Sequence, residues 1–249
     1  MDLNADLGEG FGIWQLGDDE ALLDVVTSAN VACGFHAGDP STMRRVCEAA
    51  AERGVAVGAQ VGYRDLAGFG RRHIAYDYAE LRDEVTYQLA ALDGFCRLFR
   101  TRVRYLKPHG ALYHAAATDE TQASAVVAAV SDVDGSLPVL CSPGSVLAQL
   151  AAGAGLRVVA EGFADRGYLP TGRLTPRNAP GALLTDPDEI AAQAVRMATE
   201  QTVVAVDGTV VSCPVESICL HGDTPGAVES AKRVRSALTD AGVTVTPFA

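Results

Sequence analysis

Lysine is almost missing from this 249-residue chain: of its 20 basic residues, only Lys107 and Lys232 are lysines. Acids outnumber bases 31 to 20, leaving a net charge of −11. That balance excludes nucleic acid and anionic membrane as main partners, since both demand a basic footprint. No apolar run approaches the roughly 18 to 20 residues of a membrane span. Met1-Asp2-Leu3-Asn4 has neither the basic nor the apolar region of a secretory leader. The six cysteines form no CxxC and no zinc-like pairing, which reads as buried free thiols in a cytoplasmic protein. Phosphate-loop, dinucleotide-fingerprint, HExxH, GxSxG and His-x-Glu signatures are absent too. Nucleotide binding stays open, because it does not require those motifs.

What the chain does have is one local plan used again and again. A short apolar, β-branched run ends in a turn of glycine and charged residues, and a helical pattern follows. Strands are expected at Leu3–Leu7, at the run through Val25 and Val26 into Asn30, and at Val55–Val61. Further strands follow at Val103–Leu106, Pro138–Cys141, Arg157–Ala160 and Ser217–Leu220. Helices are expected over residues 18–27, 41–53, 77–99, 118–130, 188–199 and 225–241, with a short one after Gly144. Asp207-Gly208 between β-branched pairs predicts a small extra hairpin. Seven strand–helix units without a linker or repeat predict one α/β domain over 1–249, with parallel strands and right-handed crossovers.

The polar residues fall at the strand ends. They are Asp6 and Glu9, then His36 and Asp39, then Gln60, Tyr63 and Asp65. Lys107 and His109 come next, followed by Glu161, Asp165 and Arg166, and last by His221 and Asp223. If the strands close into a barrel, all these groups meet at one mouth, because parallel strands point the same way. His36, His109 and His221 each sit beside glycine and a charge in the same slot, which marks them as functional. His73 and His114 read as structural, and Cys33 as a small buried residue. Lys107 suits an oxyanion, carboxylate or phosphate, or equally a structural ion pair with Asp6, Asp39 or Glu161. Arg71-Arg72, and Arg173 with Arg177, look like anion clamps.

Asp2-Leu-Asn4-Ala-Asp6-Leu-Gly8-Glu9, Asn30-Val-Ala-Cys33-Gly34-Phe-His36-Ala-Gly38-Asp39 and Tyr63-Arg-Asp65-Leu-Ala-Gly68-Phe-Gly70-Arg71-Arg72 resemble the LamB/YcsF family. Lys107-Pro-His109-Gly-Ala-Leu-Tyr113, Glu161-Gly-Phe163-Ala-Asp165-Arg166 and Cys219-Leu-His221-Gly-Asp223 continue the likeness in order along the whole chain. The resemblance implies a seven-stranded variant of the β/α barrel, similar to glycoside hydrolase and deacetylase barrels. It also implies a role beside B and C subunits in a prokaryotic 5-oxoprolinase, which opens the lactam of 5-oxoproline to glutamate with ATP as co-substrate. Gln60 departs from the pattern, since family members often carry histidine there; an amide is a poor transition-metal ligand.

On that footing Asp6, His36 or Glu161 is the expected base, and His109 or His221 the expected donor to the leaving nitrogen. Lys107 and the arginines would hold carboxylate, phosphate or oxyanion. Asn4, Glu9, Asn30, Asp39, Gln60, Arg71, Arg72, Arg166 and Asp223 are the expected substrate-binding groups. Two rival readings remain. One is a metal-dependent deacetylase or amidohydrolase with Asp6, His36 and His221 on a divalent ion. The other is a non-catalytic subunit that binds a lactam or carbohydrate.

Overall fold

The structure is a computed structural model that describes residues 1–249. Seven parallel strands close into a barrel: β1 (Asp2–Leu7), β2 (Ser28–Ala32), β3 (Ala56–Val61), β4 (Tyr105–Pro108), β5 (Val139–Cys141), β6 (Val158–Phe163) and β9 (Ser217–Leu220). β9 pairs with both β6 and β1, which closes the ring. The remaining strands, β7 (Thr202–Val204) and β8 (Val210–Ser212), form the expected antiparallel hairpin outside it. The helices are α1 (Asp19–Leu23), α2 (Pro40–Arg53), α3 (Tyr78–Leu98), α4 (Gly110–Ala116), α5 (Glu120–Asp134), α6 (Val146–Gly153), α7 (Pro187–Glu200) and α8 (Ala227–Asp240).

The strand period of two sorts side chains between two very different environments. In β1, Leu3, Ala5 and Leu7 join the apolar core that packs against the helices. Asp2, Asn4 and Asp6 are equally buried but face the lumen. Tyr105 on β4 donates to Asn30 on β2 at 2.6 Å, and Lys107 on β4 reaches Asp6 on β1 at 3.2 Å. Neither pair of strands is adjacent, so these contacts cross the barrel. Gly58 makes room for the crossing, since a Cβ there would fall 2.1 Å from the Tyr105 ring. Asn4 and Ser28, bonded to Ser217 and Asp2, floor the lumen. The large apolar core thus lies outside the sheet, while inside a hydrogen-bonded polar column runs beside two small apolar clusters, Tyr105 with Leu140 and Val159, and Tyr113 with Phe163 and Cys219.

Several elements differ from expectation, and two of the differences matter for the site. β4 runs two residues later than its apolar stretch suggests, and β6 extends through Phe163. Lys107 and Glu161 therefore sit within strands, facing inward, rather than in loops. α1 is only five residues long; after the Asp18 cap it ends at Leu23, and Val25 and Val26 are buried on the way into β2. α4 has no counterpart in the sequence pattern, because its N-cap position, His109, offers no capping side-chain bond to announce it.

Candidate functional site

The lumen column ends in an ion cluster at the mouth. Lys107 Nζ lies 3.2 Å from Asp6 Oδ1 and 2.7 Å from Glu161 Oε1, with all three side chains buried. Asn30 donates to Asp6 at 2.8 Å, and the Cys219 sulfur lies 3.1 Å from Nζ. Burial pulls the Lys107 pKa down, but Asp6, Cys219 and Glu161 overcome it, and the ammonium titrates well above the usual lysine value. Burial pushes Asp6 up, yet Lys107 and then His221 outweigh it and hold the carboxylate below its ordinary value. Glu161 goes the other way: burial raises it despite Lys107. No donor is well directed at either Glu161 oxygen. One lysine thus separates two carboxyl groups into a settled anion and a better proton acceptor.

A second cluster lies beside it, built from Glu9, His36, Gln60 and His109. Gln60 Nε2 donates to Glu9 Oε1 at 3.2 Å, and Gln60 Oε1 lies 3.1 Å from His36 Nε2. The two imidazoles stack with centroids 4.1 Å apart. Burial, reinforced by Asp6 and Asp223, raises Glu9 well above the usual glutamate range. Burial lowers His36 to about 4 and, together with His36, lowers His109 well below the usual histidine value. Burial thus works against the charged form of all three titratable groups. Gly70 (φ +67°) closes over the stack, and a Cβ there would meet His36 Cβ at 2.7 Å.

On the other flank, Asp165 accepts from the His221 backbone N–H at 2.9 Å and lies 2.9 Å from its Nδ1. That pairing puts a proton on Nδ1 and leaves Nε2 to act. The Phe163 ring stacks on His221 at 5.6 Å and lies 5.2 Å from Lys107 Nζ. A cavity of about 40 Å³ is bounded by Asp6, Lys107, His109, Arg166, Arg177 and His221. It shares Tyr113 and Phe163 with a larger cavity of about 300 Å³ that reaches Glu161.

Several expected groups have other tasks. Asp39 caps α2, accepting from Ser41 and Thr42, and also receives the Gly12 N–H; these bonds consume a carboxylate whose position suggests substrate binding. Arg72 is bound to Asp65 and is mostly exposed. Arg71 pairs with Asp223 at 2.7 Å. Arg166 reaches the cavity but spends its donors on the carbonyls of Ala182 and Thr175. His36 is fully buried, and Asn4 and Asn30 serve as struts between strands. Tyr113, Phe163 and Cys219 lie within the sequence motifs but carry no signal of a role there; their place on the lumen wall follows only from register.

The expected metal trio also changes. Asp6, His36 and His221 are tied respectively to Lys107, Gln60 and Asp165. The set whose ligand atoms lie within 4.8 Å of one another is Glu9, His36 and His109. It lacks the support a bound ion needs. A metal-binding imidazole donates its other N–H to an acceptor, but Nδ1 of both histidines is buried without a partner. The Nδ1 edge of His36 lies against Gly62, where a Cβ would fall 2.6 Å away. These residues do not fit a divalent ion.

Comparison with known proteins places this arrangement. The chain is 59% identical over 248 residues to the A subunit of 5-oxoprolinase from Nocardia farcinica, covering 100% of this chain and 99% of that one. It is 60% identical to the protein of the same name from Streptomyces avermitilis, covering both chains completely. The solved lactam utilization protein from Thermus thermophilus superposes with a TM-score of 0.95 at 44% identity, over 99% of each chain. The name of the first two relatives makes each one part of a multisubunit assembly. No helix of this chain is long and apolar enough to cross a membrane. The LamB/YcsF family model matches residues 1–249, and the chain belongs to that family.

Proposed function

We propose that this chain is the A subunit of a 5-oxoprolinase, opening 5-oxo-L-proline to L-glutamate in an assembly with B and C subunits that hydrolyses ATP. The relatives' name supplies the substrate. The observation that carries the chemistry is Lys107 between Asp6 and Glu161 at the floor of a cavity, with His221 on Asp165 alongside.

A five-membered lactam is a poor electrophile, because its amide is resonance-stabilised and ring opening reverses. Phosphorylating the amide oxygen at the expense of ATP would activate it, and the partner subunits are where we place that step. In the barrel, Glu161 takes a proton from water as it adds to the carbonyl carbon. Lys107 stabilises the oxygen that gains charge. His221, held at Nδ1 by Asp165, relays the proton taken by Glu161 through Nε2 to the ring nitrogen as the C–N bond breaks, giving the amine and an acyl phosphate, which a second water hydrolyses to glutamate and phosphate. Asp6 stays ionised and keeps Lys107 charged. His36, walled off behind Gln60, takes no part as base. Cytoplasmic operation agrees with six free thiols.

The test is 5-oxoproline-dependent ATP hydrolysis and glutamate formation, assayed with the chain alone and with B and C subunits added. Glu161→Gln should lower glutamate formation by about 10²–10⁴-fold, the usual worth of a general base. Undiminished turnover by that variant would remove Glu161 from the mechanism.

A further inference from the structure

The 300 Å³ cavity contains features that the ring-opening chemistry leaves unused. Its walls combine apolar side chains, Phe163, Leu174 and Tyr168, with the polar groups Tyr113, Ser142 and Arg173. Phe163 and Tyr113 meet edge to face at 5.6 Å, which fixes both rings. The Tyr113 hydroxyl is buried and faces Ser142 without a well-formed hydrogen bond, so a ligand in this space would complete its bonding. Glu161, also without a well-directed donor, is part of the same lining.

Arginines crowd the opening, and the acids near Arg177 (Asp223, Asp165 and Asp6) stay out of contact with it. Arg173 and Arg177 have no carboxylate within ion-pair distance, although the chain as a whole carries −11. Burial lowers the pKa of Arg166 and Arg177, and neighbouring arginines lower it further. His114 is depressed by burial and then by Arg166, Arg177 and Arg173. Arginines without a carboxylate in contact, in a protein that is acidic overall, favour an anionic ligand. The cavity is at the small end of the roughly 300–1,000 Å³ typical of ligand sites. That volume suits a single small ring rather than a whole nucleotide.

We propose that this cavity is the substrate compartment and selects a small cyclic amide bearing a carboxylate: Arg173 holds the carboxylate, Tyr113 bonds the amide, and Phe163 and Leu174 cover the ring. The proposal rests on the lactam-opening reading and adds to it the residues that decide which lactams enter. Arg173 is then a specificity residue and Tyr113 a binding residue. Neither takes part in proton transfer.

Equilibrium binding separates this from catalysis. The full-length chain carrying Glu161→Gln is titrated with 5-oxoproline and with 2-pyrrolidinone, the same ring without its carboxylate, and binding is followed by NMR. The Glu161→Gln chain should prefer 5-oxoproline by at least about 10-fold, the usual worth of a charge-assisted bond. Adding Arg173→Ala, an exposed position that folding tolerates, should bring that ratio close to one by weakening 5-oxoproline alone. Adding Tyr113→Phe should weaken both ligands several-fold. A ratio that Arg173→Ala leaves unchanged, or no preference to begin with, overturns the assignment. The lactam-opening reading fails separately: the wild-type assembly would form no glutamate from 5-oxoproline while Arg173-dependent binding persisted.

Discussion

Two clusters at the barrel mouth are equally dry yet shift their ionisable groups differently. Around Lys107, three buried groups are ionisable, and the lysine and Asp6 are charged. Around Gln60, the buried Glu9, His36 and His109 are all shifted toward their neutral forms. Burial is the leading influence on every one of them, so burial does not make the difference. A full positive charge in contact range does. Lys107 compensates Asp6, whereas Gln60 offers its neighbours only an amide dipole, which satisfies hydrogen bonds but stabilises no charge. The ionised cluster suits proton transfer and oxyanion binding. The cluster around Gln60 links the segments that carry Glu9, His36 and His109, and His109 also borders the smaller cavity.

The most severe way to break this contrast is Lys107→Met. It strands the Asp6 carboxylate in the lumen, and removing one partner of a buried pair costs about 3–5 kcal/mol. Urea unfolding should show that loss, and glutamate formation should vanish with it. Neutralising the remaining partners, in Lys107→Met with Asp6→Asn and Glu161→Gln, should recover much of the stability and none of the activity. A Lys107→Met protein as stable as wild type would mean that the lumen charges are not desolvated as described.

The cluster around Gln60 is probed by pH. In the unfolded chain His36 protonates near its ordinary 6.5, but in the fold it resists until about 4. Between those values the unfolded state binds a proton that the native state refuses, so the His36 contribution to stability falls as pH falls. A shift of that size amounts to about 3 kcal/mol at the acid end. Asp6 has the opposite chemistry: its depressed pKa contributes stability above about 3.8 that disappears only in stronger acid. The stability gap between wild type and His36→Gln, measured by urea unfolding at pH 7, 5.5 and 4.5, should therefore narrow steadily. A gap independent of pH would show that His36 titrates in the fold as it does in the unfolded chain, and a gap that widens toward acid would show it charged there.

Much of this contrast is legible in the sequence, though unevenly. The seven strands, their parallel sense and the hairpin at Asp207-Gly208 follow from alternating apolar runs and turn residues, signals that are local. Asp6, Lys107, Glu161 and His221 group together in the sequence because strand ends converge. The position of Lys107 already leaves an ion pair with Asp6, Asp39 or Glu161 open; that it meets Asp6 and Glu161 and not Asp39, while His36 pairs with Gln60, depends on register across the lumen, and no local pattern records it. The same holds for Phe163 and Tyr113, whose motifs stand out but whose shared wall does not. Position also misleads. Asp39 and Arg72 stand at strand-loop ends like their neighbours, yet one caps a helix and the other ties its own loop to Asp65.

Asp39 supplies the mildest test, because it separates address from function. It sits close to His36 in a motif dense with chemistry, and by position alone it belongs with the substrate groups. Its oxygens are occupied by the first N–H groups of α2 and by Gly12; burial pushes its pKa up, but those bonds hold it low. Losing such a cap costs about 1 kcal/mol, which in a chain of this length lowers Tm by about 2–4 °C. Asp39→Ala should show that shift in a thermal melt and keep its affinity for 5-oxoproline. A large loss of affinity with Tm unmoved would return Asp39 to the site and would mean that α2 is capped by something else. The expected result makes the general point: at this mouth, a carboxylate acts on substrate only if the backbone has not already claimed it.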